Sequence, residues 1–246
     1  MGPVRFSNLK HMARSPLHYH HAVTSEFHES RVMRVGYGVH GRVLGANPHV
    51  VYEGDRRGKA WEAFKVEYAG ARILTSSEDA DAKAIADSVQ AHPRAAELMD
   101  GQRELEIGWE WLGRECMSHL DVLGDGRIVD LKVTSAGPPE KFRWHALRSG
   151  WHAQLAFYRR AAASLGVVNP ECYLVAVEDK APYAVTVRVL TPRALEAGDK
   201  LCRLWMERLL SCEGADHWPA YCESDLALDV EDEASFDVDG GEEAAA

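Results

Sequence analysis

In the stretch GRIVDLKVTS, residues 127–136, Asp130 and Lys132 stand two positions apart among Ile128, Val129, Leu131 and Val133. The apolar, β-branched run reads as a short strand, and side chains at i and i+2 of a strand share a face. A carboxylate and an ammonium are thereby presented side by side. Glu104 and Glu106 lie on an earlier run, and Asp121 on the run between. If the chain turns at LGDGR, Asp121 and Asp130 meet across the hairpin. Two close carboxylates repel and raise each other's pKa unless a cation sits between them. A hard divalent ion such as Mg2+ binds through a few carboxylates and waters. A neighbouring lysine can orient or help deprotonate a water, or steady charge on a phosphate. That is chemistry for hydrolysing a phosphodiester. An edge strand that uses charge against aggregation also accounts for an Asp-x-Lys pair, so the pair alone leaves both readings open.

The elements that must position these groups follow from periodicity and punctuation. RELEIGWEWLGRECMSHLDVLGDGRIVDLKVTS alternates apolar and polar residues over three runs with turns at WLGRE and GDGR, an antiparallel meander. Before it, FSNLKHMARSPLHYHHAVTSE reads as two short helices, with Ser15 capping and Pro16 at the first helical position. SRVMRVGYGVHGRVLG reads as a glycine-containing helix packed closely on a neighbour. DRRGKAWEAFKVEYAG has helical spacing up to Gly70, and SSEDADAKAIADSVQAHP has a serine cap, early acids and a terminal proline. A short helix follows over 94–100. After the meander, GPPEKFRWHALRSGWHAQLAFYRRAAASLG returns to helix as far as Gly166. ECYLVAVEDKAPYAVTVRVLT is a hairpin turning at DKAP, and TPRALEAGDKLCRLWMERLLSC a final amphipathic helix. The order implies an α/β fold with helices flanking the sheet.

Composition sets the outer limits. The 246 residues suit one globular domain with a tail. No run of about 20 apolar residues suggests a membrane span, and the first residues show no signal-peptide pattern. Five cysteines without tight pairing suggest a reducing cytoplasm. The formal charge of −10 is carried by residues 223–246, which hold ten acids and no Lys or Arg, leaving 28 acidic against 28 basic residues in 1–222. We expect the body, 1–222, to fold and the acidic tail, 223–246, to be disordered.

The ordered set of motifs resembles the PD-(D/E)XK nuclease superfamily, and within it the exonuclease VIII (RecE-type) branch of phage and prophage recombination nucleases. SNLKHMARSPLHYHHA is similar to that branch's N-terminal helix-and-SP segment, GYGVHGRVL to its Gly-x-x-x-His helix, and RELEIGW to its Glu strand. DLKVT is similar to Asp-x-Lys-Thr-Thr and HAQLAFY to Gln-x-x-x-Tyr. The resemblance implies a central mixed β-sheet flanked by helices, with a helical N-terminal part. It implies Asp121 and Asp130 as metal-binding carboxylates, with the Leu131 carbonyl as a further ligand. It also implies Lys132 as the catalytic lysine, His40 completing a metal site, and Glu104 facing the same cleft, with Glu106 as its substitute. Gln154 and Tyr158, at i and i+4, would be presented together by one helix face. The implied cofactor is Mg2+, with Mn2+ substituting. The implied activity is 5′ to 3′ digestion of double-stranded DNA ends, leaving 3′ single strands. The implied partners are a single-strand annealing protein and further copies in a ring-shaped homo-oligomer. A PD-(D/E)XK endonuclease or repair nuclease, and a non-catalytic DNA-binding member of the fold, are the competing expectations.

The sequence departs from the branch where His119-Leu120-Asp121 stands for Arg-Pro-Asp, where Gly36-Tyr37-Gly38-Val39-His40 stands for Gly-Thr-Ala-x-His, and where Val133 replaces a threonine. None of these removes an implied metal ligand, and His119 is a candidate to replace the lost arginine at DNA. His18, His20 and His21 read as a solvated helix face rather than a metal cluster. Cys202, Cys212 and Cys222 lack the Cys-x2-Cys element of an iron–sulfur site. Arg56, Arg57 and Lys59 before Trp61 and Phe64 fit either a DNA-contacting strip or a solvated helix with a buried aromatic face.

Overall fold

A computed structural model describes residues 2–26, 28–45, 48–135 and 139–221. The expected tail, 223–246, lies outside the described residues. In chain order the elements are β1 (Val4–Arg5), α1 (Phe6–Leu9), a 3-10 turn (Lys10–Ala13), α2 (Pro16–Thr24), α3 (Arg31–Leu44), β2 (His49–Tyr52), α4 (Gly58–Glu67), β3 (Arg72–Thr75), α5 (Ser76–Ala91) and α6 (Pro93–Leu98). They continue with β4 (Gln102–Trp111), β5 (Arg114–Gly124), β6 (Arg127–Thr134), α7 (Pro139–Arg148), α8 (Trp151–Ser164), β7 (Glu171–Glu178), β8 (Val185–Val189) and α9 (Pro192–Ala215). No helix among the described residues is long and apolar enough to cross a membrane.

The meander is the middle of a six-stranded mixed sheet ordered β1-β5-β6-β7-β8, with β4 also on β5. The pairs β4/β5, β5/β6 and β7/β8 are antiparallel as expected, while β6 and β7 run parallel over Arg127–Thr134, joined by α7 and α8 as the crossover. Helices cover both faces. Ile128, Cys172, Leu174 and Ala176 point into one core with α8, α9 and the N-terminal helices. Val129, Leu131, Val175 and Val177 point into the other, with α3, α5 and α6. This is the alternation a sheet needs when both faces are buried.

Three details refine the expected elements. The cap of α5 is Thr75, one residue before the serine, in a reciprocal capping box with Glu78. The helical stretch after the meander is two helices, broken where Gly150 adopts φ 72, a left-handed backbone that glycine tolerates without cost. Between α3 and α5 the approach is close: a Cβ at Gly38 would lie 2.7 Å from Leu74 and 2.8 Å from Ala82. That glycine lets α3 sit down on α5 and so sets the depth of His40, two residues on.

Strand β5 carries the feature on which the site depends. One of its edges is filled by β4 from Arg114 to Leu123. The other edge pairs with β6 at Val122–Gly124, then with β1 at Cys116 and Met117. Between these partners the edge is open. The fork begins one step past the Val122/Val129 pair, at the level of Asp121 and Asp130. Opposite it, Glu104 is held at φ 50, an uncommon backbone for a residue with a side chain. The alternation of β5 slips here too, since Leu120 and Leu123, of opposite parity, both reach the α8/α9 core. Strain of this kind persists only where the surroundings enforce it.

Candidate active site

The fork gathers the polar side chains. In a strand the N–H and C=O of one residue point to the same side, and Leu131 directs both into the gap that β5 leaves. Its N–H donates to Asp121 Oδ2 at 2.6 Å. Its carbonyl lies 3.1 Å from His40 Nε2. A side-chain carboxylate and an imidazole thus satisfy backbone groups that a neighbouring strand would otherwise take.

His40 Nδ1 then faces Glu104 Oε1 at 3.7 Å and Asp121 Oδ1 at 3.6 Å. Burial alone depresses the imidazole, but the Asp121 and Glu104 carboxylates outweigh it and hold His40 above its ordinary pKa. His119 closes the other side, its Nε2 3.2 Å from Glu104 Oε2. The same side chain also lines the cavity in front of Lys132. Glu106, the substitute for Glu104, is exposed and outside this group, and pairs with Arg5 at 3.5 Å.

Asp130 turns to the α8 side. Its carboxylate lies 2.7 Å from Lys132 Nζ and accepts from Gln154 Nε2 at 3.3 Å. The same Gln154 amide donates to the Tyr158 hydroxyl at 2.8 Å, so the i and i+4 positions of α8 act together as expected. Burial pushes Asp130 up to about 6, with Asp121 adding to the rise and Lys132 opposing it. Burial and the same two carboxylates raise Tyr158 too, which keeps its hydroxyl protonated. Lys132 also lies over the Trp151 ring at 5.9 Å. A cavity of about 230 Å3 opens in front of Lys132, Gln154 and Tyr158, bounded by Arg5, Lys10 and His119.

The donors fit a divalent cation. Ligating atoms of His40, Glu104 and Asp121 lie within 4.8 Å of one another, the group with this property among the described residues. Their separations of 3.6 and 3.7 Å are too long for hydrogen bonds. They leave room for a cation among them. Two carboxylates and an imidazole are a donor set for a divalent cation. Asp130 stands beside the group, tied to Lys132 and Gln154.

The other candidates are occupied elsewhere. His18 and His21 hydrogen-bond Ser15 and Ser25, and His20 packs on Trp218. Cys202 and Cys212 are buried free thiols, and Cys222 lies outside the described residues. Arg56 is bound to the Ile73 carbonyl and Glu78 and is an internal brace, whereas Arg57 pairs with Asp55 in solvent, and the rings of Trp61 and Phe64 pack tilted against Tyr52.

A mixed sheet forked at an acid pair, with Asp-x-Lys on one prong and Gln-x-x-x-Tyr on the covering helix, defines the PD-(D/E)XK class. Residues 5–227 match the family described as PDDEXK-like domain of unknown function (DUF3799), and the chain belongs to that family. Among solved structures it is similar to one from Eubacterium rectale named "Putative exonuclease", with a TM-score of 0.68, 16% identity, and coverage of 90% of this chain and 85% of that one. No curated protein matches the chain.

Proposed function

We propose that the protein is a metal-dependent exodeoxyribonuclease that hydrolyses double-stranded DNA from its ends, 5′ to 3′, leaving 3′ single strands for recombination. The observation that carries the reading is the fork. It brings His40, Glu104 and Asp121 to one point and places Lys132, braced by Asp130, beside them at the cavity. The name of the E. rectale neighbour points the same way. Mg2+ is the proposed ion, with Mn2+ substituting. His40, Glu104 and Asp121 would hold it, with the Leu131 carbonyl and Asp130 at hand. Once bound, a divalent ion screens the scissile phosphate and acidifies a water. Asp130 holds Lys132 in place, and the ammonium orients the attacking water and steadies charge on the phosphate. Gln154 fixes Asp130 from above, while Tyr158 accepts from Gln154 and fixes its amide orientation. A single-strand annealing protein and a ring of identical subunits around DNA complete the proposal.

The deciding assay is digestion of 5′- and 3′-labelled linear duplex beside nicked and closed circles, with Mg2+ or EDTA. Release from 5′ ends, intact closed circles and no reaction in EDTA are expected. Cutting of closed circles would replace the exonuclease by an endonuclease. Inertness on every substrate would leave a DNA-binding member of the fold.

A further inference from the structure

Most arginines near the surface of this protein are tied to carboxylates. Arg34 and Arg56 hold Glu78, Arg42 holds Asp79, Arg114 holds Glu213 and Arg160 holds Asp199. One groove breaks the pattern. It has a volume of about 800 Å3 and runs between the 3-10 turn, the α7–α8 junction and α9. Lys10, Arg14, Arg148 and Arg208 line it with no acidic residue in its walls. Among the described residues none of the four makes an ion pair. His11, in the same wall, is held below its ordinary pKa by burial first and then by the charges of Lys10, Arg14 and His18, as expected where positive potential accumulates.

The groove is continuous with the catalytic cavity. Lys10, Ser149 and Trp151 line both, and Trp151 is the ring beneath Lys132. Its remaining wall is apolar and open to solvent: Leu147 is 40% and Leu204 59% exposed. Cations supply phosphate contacts, and exposed apolar and aromatic faces supply seats for unstacked bases, which a duplex would keep covered.

We propose that this groove is the track for one single strand of nucleic acid leading to or from the scissile phosphate, an inference that rests on the nuclease reading. Phosphates lie along Lys10, Arg14, Arg148 and Arg208, and bases lean on Leu147, Leu204 and Trp151. Lys10 is the link between the track and Lys132. Of the cationic side chains in the sequence, Arg148 thus belongs to the DNA path, whereas Arg56 does not.

The test is binding of a labelled oligo-dT and of a blunt duplex of equal length to the full chain in EDTA, over a salt series. The variant is Arg14→Glu/Arg148→Glu. The control is Arg188→Glu/Arg193→Glu, the same charge change on exposed residues outside the groove. Melting curves confirm that both fold. Removing two phosphate contacts should weaken oligo-dT binding about tenfold or more at low salt and lower the log–log salt slope by about 1.4. The control should keep nearly the wild-type slope. Unchanged oligo-dT binding in the groove variant, or an equal loss in the control, overturns the proposal. A loss confined to the duplex overturns the single-strand assignment. Because binding is read in EDTA, wild-type protein that binds oligo-dT in this way but does not cut linear duplex when Mg2+ is added would count against the nuclease reading and leave the groove standing.

Discussion

Two clusters of acids sit about the same sheet and are built in opposite ways. On α5, Glu78 accepts from Arg34 at 2.7 Å, Arg56 at 3.0 Å and the Thr75 N–H at 2.9 Å, and Asp79 from Arg42 and His49 at 2.6 Å each. Burial pushes both carboxyls up, but their partners outweigh it and hold them below the usual range. At the fork, Glu104 and Asp121 face an imidazole at 3.7 and 3.6 Å, and Asp130 is raised to about 6. The first cluster is complete as it stands and ties α3, the segment before α4 and the β2–β3 ribbon to α5. The second sets its acids and an imidazole around a candidate cation site. In this molecule the acids whose pKa falls are the braced ones, and the acid whose pKa rises lies beside the candidate cation site.

The sharpest way to break this comparison is to remove one member from each cluster. Lys132→Ala and Asp130→Ala should lower cleavage of linear duplex by about 10²- to 10³-fold or more with the fold intact. Glu78→Gln should keep whatever activity its folded fraction allows. Wild-type turnover in the first pair would move the site elsewhere.

Stability without metal should separate the clusters by sign. Glu78→Ala takes the shared carboxylate from two part-buried guanidiniums and should cost about 1 to 3 kcal/mol in denaturant unfolding. Asp130→Asn relieves repulsion with Asp121, so its midpoint in EDTA should hold or rise. A large loss in Asp130→Asn would make that carboxylate structural.

Metal should stabilise the wild type by about 2.7 kcal/mol when its concentration is 100 times its dissociation constant. Thermal melts with Mn2+ or Mg2+ should show most of that shift lost in Asp121→Asn and retained in Asp79→Asn. Equal shifts would take Asp121 out of the site. The same titration on His40→Ala tests whether α3 contributes a ligand.

The smallest effect is in the pH profile. Asp130 and His40 have folded pKa values above their ordinary ones. Their contribution is greatest at low pH, declining for Asp130 between its ordinary value of 3.8 and about 6, and for His40 from 6.5 upward. Glu78 and Asp79 are depressed, so theirs is present above their ordinary values and lost as pH falls through the folded ones. Denaturation midpoints in EDTA should therefore lose a decline with rising pH between 3.8 and about 6 in Asp130→Asn, and a decline with falling pH below 4.5 in Glu78→Gln. A slope change of the same sign in both would erase the distinction.

Much of this was legible in the chain. The meander, its register at Asp121 and Asp130, and the Gln154/Tyr158 face follow from alternation and spacing, which are local. What escaped depends on partners far away in sequence. The strands His49–Tyr52 and Arg72–Thr75 are four residues each, too short for a period, and exist because they pair in parallel. Arg56 reads as a surface cation until Glu78, 22 residues on, is seen to hold it. The inverted backbone of Glu104 has no signature in residue type. It coincides with the break in the β4/β5 register between Arg103 and Leu105, a property of the sheet.

The exchange of partners along β5 has a spectroscopic consequence. The Leu131 amide is bonded to a carboxylate where a ladder would place a carbonyl. Its hydrogen exchange therefore follows the fate of one side chain. In Asp121→Ala it should exchange far faster than its neighbour Val129 on the same strand. Its amide proton resonance should shift when an ion draws on Asp121, while Val129 stays put. A single backbone peak, far from any surface label, would then report whether the site is loaded.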